Sequence, residues 1–131
     1  MCKCEFFICE HCKNLVEMIH DAGVSVVCCG QKMKRLAPSS TDNGSEKHAP
    51  VVTTGEKTVT VSVGSVEHPM TEEHGILWVC LQTDKGVQRK RLESGKAPRV
   101  TFALSDEKPT GVFAFCNLHG LWWTAIDRRR S

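Results

Sequence analysis

Thr58-Val59-Thr60-Val61-Ser62-Val63 alternates apolar and small polar residues without a break. A period of two turns one face of a strand to a core and the other to water. Outward from this stretch the signal recurs. Ile76 to Thr83 is a more fully apolar run, and Val87 to Leu92, Val100 to Leu104 and Val112 to Cys116 follow it. Turn formers separate these runs at Asp84-Lys85-Gly86, Glu93-Ser94-Gly95 and Ser105 to Gly111. No convincing 3.6-residue period appears, so this region is predicted to be an antiparallel β-sandwich and the chain all-β.

Upstream, Ala37 to Ala49 is polar and turn-rich, with Pro38-Ser39-Ser40-Thr41-Asp42-Asn43-Gly44-Ser45 at its centre, which marks a linker or exposed loop. A boundary at its start divides the chain into residues 1–37 and 38–131. The first part reads as short strands, Glu5 to Ile8, Leu15 to Ile19 and Val24 to Val27, between pairs of cysteines. A unit below about 40 residues normally needs a metal, a disulfide or a partner to stay folded.

The chain has 131 residues and eight cysteines, six of them among the first 29 residues. Secreted disulfide frameworks spread cysteines through loops, whereas Cys9-Glu10-His11-Cys12, fifteen residues and Cys28-Cys29 is close to the paired spacing of a tetrahedral thiolate site. Spacing alone does not separate a structural zinc knuckle from an iron site. A reducing cytoplasm follows as the expected compartment. The formal charge of +2 is too weak to argue for nucleic acid or an anionic membrane as partner. Ile76-Leu77-Trp78-Val79-Cys80-Leu81, the longest apolar run, is too short to span a bilayer, and Met1-Cys2-Lys3-Cys4 does not open a secretory signal.

A second constellation lies in the strand-rich part. His48 ends the polar loop, His68 and His74 flank a short Pro-containing loop, and Cys116 with His119 lies where the last strong strand runs into Asn117-Leu118-His119-Gly120. Imidazoles with a thiolate suit a transition metal, and redox chemistry leads. His11 and His20 read as surface residues, and Cys80 as a buried thiol of a strand. Trp78, Phe102, Phe113, Phe115 and Trp122 read as core and pocket wall. Arg128-Arg129-Arg130 reads as a disordered tail.

In this order and spacing, Cys9-x2-Cys12 with Cys28-Cys29-Gly30, Glu46-Lys47-His48-Ala49-Pro50-Val51, His68-Pro69-Met70 with Glu73-His74, and Cys116-Asn117-Leu118-His119-Gly120-Leu121-Trp122 resemble the desulfoferrodoxins, the two-iron superoxide reductases. The resemblance covers nearly the whole chain. It implies a desulforedoxin-like domain with iron on Cys9, Cys12, Cys28 and Cys29, then an immunoglobulin-like sandwich with iron on His48, His68, His74, His119 and Cys116. It further implies one-electron reduction of superoxide to hydrogen peroxide, a rubredoxin-like electron donor and a homodimer.

Within that resemblance Lys47 would attract a small anion and hold proton-delivering water, and Glu46 would be the carboxylate that occupies the open position of the oxidised iron. The amides of Leu118 and His119 are candidates to hydrogen-bond the Cys116 sulfur. Two departures stand out. Lys13 replaces the usual glycine after the second cysteine, which predicts either turn strain or a different local geometry, and Gly75 replaces an expected aromatic, which predicts a more open or mobile site with no ligand lost. Cys2 and Cys4 are extra thiols. The competing readings are an electron-transfer protein with a vestigial second site and a zinc-ribbon interaction module.

Overall fold

A computed structural model describes residues 4–39, 48–64 and 69–126. Cys2, Glu46, Lys47, His68 and Arg128 to Arg130 lie outside the described residues. Every named element is a β-strand, and among the described residues no helix is long and apolar enough to cross a membrane. The chain forms two compact units, Met1–Ala37 and Pro38–Ser131.

In the first unit β1 (Phe6–Ile8) lies between β2 (Leu15–Glu17) and β5 (Lys34–Arg35), all antiparallel, and β3 (Val27–Cys28) pairs with β4 (Gln31–Lys32) as a separate hairpin. The expected strand at Val24 to Val27 is shifted toward the cysteines, because the Cys28 to Gly30 turn folds Val27–Cys28 back onto Gln31–Lys32. Among the described residues of this unit only Phe6, Cys9 and Met33 are buried hydrophobics. Three such side chains, at about 1.5–3 kcal/mol for a fully buried large one, are a thin core for ordering so many residues.

The second unit is a two-sheet sandwich. One sheet has the order β10 (Arg99–Ala103), β7 (Thr58–Val63), β6 (Pro50–Thr54), and the other β12 (Gly120–Ala125), β11 (Pro109–Cys116), β8 (Ile76–Thr83), β9 (Val87–Arg91). All pairings within them are antiparallel. The alternation of β7 does what it predicts: Val59, Val61 and Val63 join Phe102, Ile76, Val79, Leu81, Val112, Ala114 and Cys116 in one buried cluster. Thr60 faces outward and meets the Thr101 hydroxyl at 3.1 Å. The strands β6 and β12 add to those expected from the sequence. The first starts at Pro50, and the second packs two tryptophans in a row instead of alternating.

Side chains close both edges of the sandwich. Gln88 Nε2 and Lys90 Nζ, on β9, donate to the Ala103 and Thr101 carbonyls of β10 at 2.9 and 2.6 Å. On the other side Thr124 Oγ1, on β12, donates to the Pro50 carbonyl of β6 at 2.7 Å. Edge carbonyls that would otherwise invite another strand are thereby occupied.

The ladder between β8 and β11 is irregular near its Cys116 end. Trp78 pairs with Phe115, but Ile76 pairs with Cys116, so the register shifts by one residue at Leu77. Val79 and Leu81 point to the core, and without the bulge Leu77 would follow them. Instead Leu77 is exposed and Ile76 is buried. Such bulges re-aim side chains at strand ends.

On the outer face of the four-stranded sheet Trp123 lies over Gly111 so closely that a β-carbon there would collide with the indole ring. Trp123 also packs on Phe113 with ring centres 4.4 Å apart. Gly111→Ala is expected to lower stability by about 1–3 kcal/mol, the usual cost of overpacking. Chemical denaturation of the two proteins side by side checks it; an unchanged midpoint would show that Trp123 swings away freely.

Candidate metal centres

Two groups of metal-ligating side chains come together, one in each unit. Among the described residues these are the two sets of three or more whose ligand atoms all lie within 4.8 Å of one another: Cys9, Cys12, Cys28 and Cys29, and His48, His74, Cys116 and His119. Cys4 and Cys80 belong to neither set, and Cys80 is fully buried in β8 as its strand pattern predicts. His11 and His20 are exposed.

The first set is held by two tight turns. After β1 the chain folds so that the Lys13 amide donates to the Cys9 carbonyl at 2.8 Å, and between β3 and β4 the second turn carries Cys28 and Cys29. Lys13 has φ of 68° and Cys29 a φ of 54°, both in the left-handed region. The strain anticipated at Lys13 is therefore present, and the adjacent pair Cys28-Cys29 is accommodated by a second strained residue.

The four thiols are crowded. Cys12 Sγ and Cys28 Sγ stand 3.6 Å apart, Asn14 Nδ2 donates to Cys28 Sγ at 3.6 Å, and the Cys12 amide donates to Cys9 Sγ at 3.5 Å. That amide is the main reason the Cys9 thiol is lowered to about 6. Cys29 is pushed up to about 12, chiefly by Cys12 and then Cys9, and Cys28 is raised for the same reason. Thiols this close cannot all become thiolates in water without a cation to offset their repulsion. The donor set fits a tetrahedral metal that prefers sulfur.

The second set is built at the end of the sandwich. His48 lies two residues before β6 and is 5% exposed, His74 sits in the loop before β8, Cys116 is the last residue of β11, and His119 lies in the turn to β12. His48 Nε2 and His119 Nδ1 are 2.9 Å apart, and Cys116 Sγ is 3.7 Å from His119 Nδ1. Ring centres are separated by 4.5 Å for His48 and His119, 4.9 Å for His74 and His119, and 6.2 Å for His48 and His74. Trp122 stacks on His48 at 5.0 Å with planes inclined by 15°, so the residue read as pocket wall fixes an imidazole ring.

Burial pushes the Cys116 thiol up, while the backbone amides of Leu118 and His119 pull it down. Those are the two amides that the sequence nominates as donors to the sulfur. A buried thiol with this bias becomes a thiolate when a cation is next to it, and three imidazole nitrogens converge on the same spot. The set fits a transition metal; His68, the further imidazole predicted for it, lies outside the described residues.

Gly75 does not loosen the site. It is buried, a β-carbon there would stand 3.0 Å from the Thr71 carbonyl, and its own amide and carbonyl are both hydrogen-bonded to Asn117. The expected opening is thus replaced by close backbone packing. Two residues outside the sequence-predicted set hold this loop, Thr71 and Asn117. Thr71 Oγ1 accepts the His74 amide at 3.0 Å, and the Thr71 amide donates to the His74 carbonyl at 2.9 Å. A threonine three residues before a candidate ligand histidine is a readable sign of such a turn. Asn117 carries no comparable local signal, since its partners are distant in sequence.

The family model for desulfoferrodoxin matches residues 40–125. A desulfoferrodoxin homolog of Archaeoglobus fulgidus is 42% identical over 118 residues, which are 90% of this chain and 94% of that protein. A desulfoferrodoxin of Nitratidesulfovibrio vulgaris is 41% identical over 118 residues, 90% of this chain and 93% of its own. Among solved structures, the superoxide reductase from Treponema pallidum superposes with a TM-score of 0.78 at 41% identity, covering 93% of this chain and 97% of that one. The one-iron superoxide reductase of Giardia intestinalis gives a TM-score of 0.54 at 31% identity over 63% of this chain and 98% of that one.

Lys13→Gly is expected to stabilise the first unit by about 1 kcal/mol, because glycine adopts the left-handed turn without the steric penalty and loses part of that gain to its freer unfolded chain. Urea denaturation followed through the first unit checks it. A loss of stability would mean that the lysine side chain makes a compensating contact.

Proposed function

The chain belongs to the desulfoferrodoxin family, and on that premise we propose that it is a superoxide reductase, adding one electron and two protons to superoxide to give hydrogen peroxide. The site is the histidine and cysteine set, with His48, His68, His74, His119 and Cys116 as ligands of one iron. A second iron is held by Cys9, Cys12, Cys28 and Cys29. The observation that carries this reading is the convergence of three imidazoles and a buried thiol within 4.8 Å at one end of the sandwich. Solved relatives described as superoxide reductases support it.

Iron in this site supplies a one-electron couple that the side chains themselves lack. The protein's own residues do the rest. Trp122 fixes the plane of His48, and Thr71 and Asn117 hold the backbone on either side of His74. The amides of Leu118 and His119 stabilise negative charge on Cys116 Sγ. Among the described residues of the site His48 and Cys116 are buried whereas His119 is exposed to solvent. Glu46 and Lys47 immediately precede His48 in the chain. The ammonium of Lys47 attracts superoxide and holds the water that delivers protons to it, and Glu46 supplies a carboxylate to the same neighbourhood.

Electrons come from a small redox protein of the rubredoxin kind, and the site of action is the cytoplasm. The thin core of the first unit supports a homodimer as the working form.

Cys116→Ser and His119→Ala are each expected to abolish superoxide consumption and the thiolate charge-transfer colour of the oxidised site, while leaving the tetracysteine spectrum in place. Metal analysis with an anaerobic superoxide assay checks both, and activity retained in either variant would sink the assignment. Lys47→Ala is expected to slow the second-order reaction with superoxide by about tenfold or more and to flatten its dependence on ionic strength. Rapid-mixing kinetics at several salt concentrations read this directly; an unchanged rate and salt slope would remove Lys47 from the mechanism.

A further inference from the structure

Asn117 is exposed and offers no imidazole, thiol or carboxylate to the site, yet it makes three hydrogen bonds to one short segment. Its Nδ2 donates to the Glu73 carbonyl at 2.9 Å, its Oδ1 accepts the Gly75 amide at 3.0 Å, and its own amide donates to the Gly75 carbonyl at 3.2 Å. The residues bonded are those immediately before and after His74. His74's own amide and carbonyl are taken by Thr71 on the other side. Asn117 is also the neighbour of Cys116 and two residues from His119, at the start of the turn from β11 to β12.

We infer that Asn117 is a positioning residue: it clasps the His74 loop to the Cys116–His119 turn and so sets where the His74 imidazole stands relative to the Cys116 sulfur. The inference rests on the reading of this set as a metal site. Its physical basis is that two loops from different strand connections meet here, and the backbone pairing that leads into them is that of Ile76 with Cys116. That pairing is at a bulge, where the ladder is least regular. A side-chain amide is suited to the task because it presents one donor and one acceptor in a fixed plane, matching a carbonyl and an amide two residues apart. Gly75 completes the fit, since a β-carbon at that position would press on the Thr71 carbonyl at 3.0 Å and disturb the segment that Asn117 grips.

The test uses the full-length chain and cobalt(II) as the probe metal, whose thiolate charge-transfer band reports the sulfur ligand. The band lost in Cys116→Ser identifies the histidine and cysteine site, and the tetracysteine cobalt spectrum serves as internal reference. Asn117→Ala is expected to weaken cobalt at the second site by about 10- to 100-fold and to shift that band, with the tetracysteine spectrum unchanged. Asn117→Gln keeps the amide but moves it by one methylene, and a smaller loss in the same direction is expected; it decides the matter alone if the alanine variant does not fold. Affinity within about twofold of wild type and an unmoved band overturn the proposal, as does a lower melting temperature with no change in the band, which marks a purely structural role. If the wild-type chain shows no cobalt band sensitive to Cys116→Ser, the metal-site reading itself fails, and that result is distinct from the others.

Discussion

The second unit depends on the meeting of Cys116 with Ile76. Cys116 is the last inward residue of β11, following Val112 and Ala114 into the core, so its sulfur reaches the end of the sandwich already desolvated. The bulge at Leu77 then turns the start of β8 so that Ile76 stays buried, and the residues before it, Gly75 and His74, arrive beside Cys116. Close packing makes that arrangement stiff: the strands cannot slide by one residue without carrying Leu77 into the core and Ile76 out of it. A ligand set built on strand ends inherits that rigidity.

The two candidate centres meet the same electrostatic difficulty in different ways. In the first unit four thiols crowd one another near water: the Cys12 amide leads in lowering Cys9 to about 6, while the neighbouring Cys12 and Cys9 sulfurs raise Cys29 to about 12. In the second a single thiol is burdened by burial and relieved by two backbone amides. A bound cation would offset repulsion in the one and desolvation in the other. The first also has left-handed turns at Lys13 and Cys29 to maintain with three buried hydrophobic side chains among its described residues, so a metal bound there would be coupled to folding more tightly than one in the well-packed sandwich.

The parts of the molecule that are readable in advance are those governed by local chemistry. Thr58 to Val63 and Ile76 to Thr83 lie in the structure where their patterns place them, because burial of alternate residues is a property of the strand itself. β6 and β12 escape such a reading since Pro50 hides one start and Leu121-Trp122-Trp123 breaks the alternation of the other; both are strands because neighbours with free hydrogen-bonding edges lie beside them. Gly75 looks in the sequence like a loss of bulk and is instead a requirement of close backbone approach, which no single position in a sequence reveals.

By itself the sequence determined which residues can bind metal and in what company, for thiols at two-residue spacing and histidines beside strand runs carry their donor chemistry wherever the chain goes. It also determined the strain at Lys13, a matter of one residue's backbone. Only the tertiary structure decided that His48, His74, His119 and Cys116 share one spot, that Trp122 orients an imidazole, and that Asn117 grips both sides of His74. The contact of His48 with His119 and that of Gly75 with Asn117 join residues 71 and 42 positions apart, and such separations are closed by packing and strand register, which a local pattern does not encode.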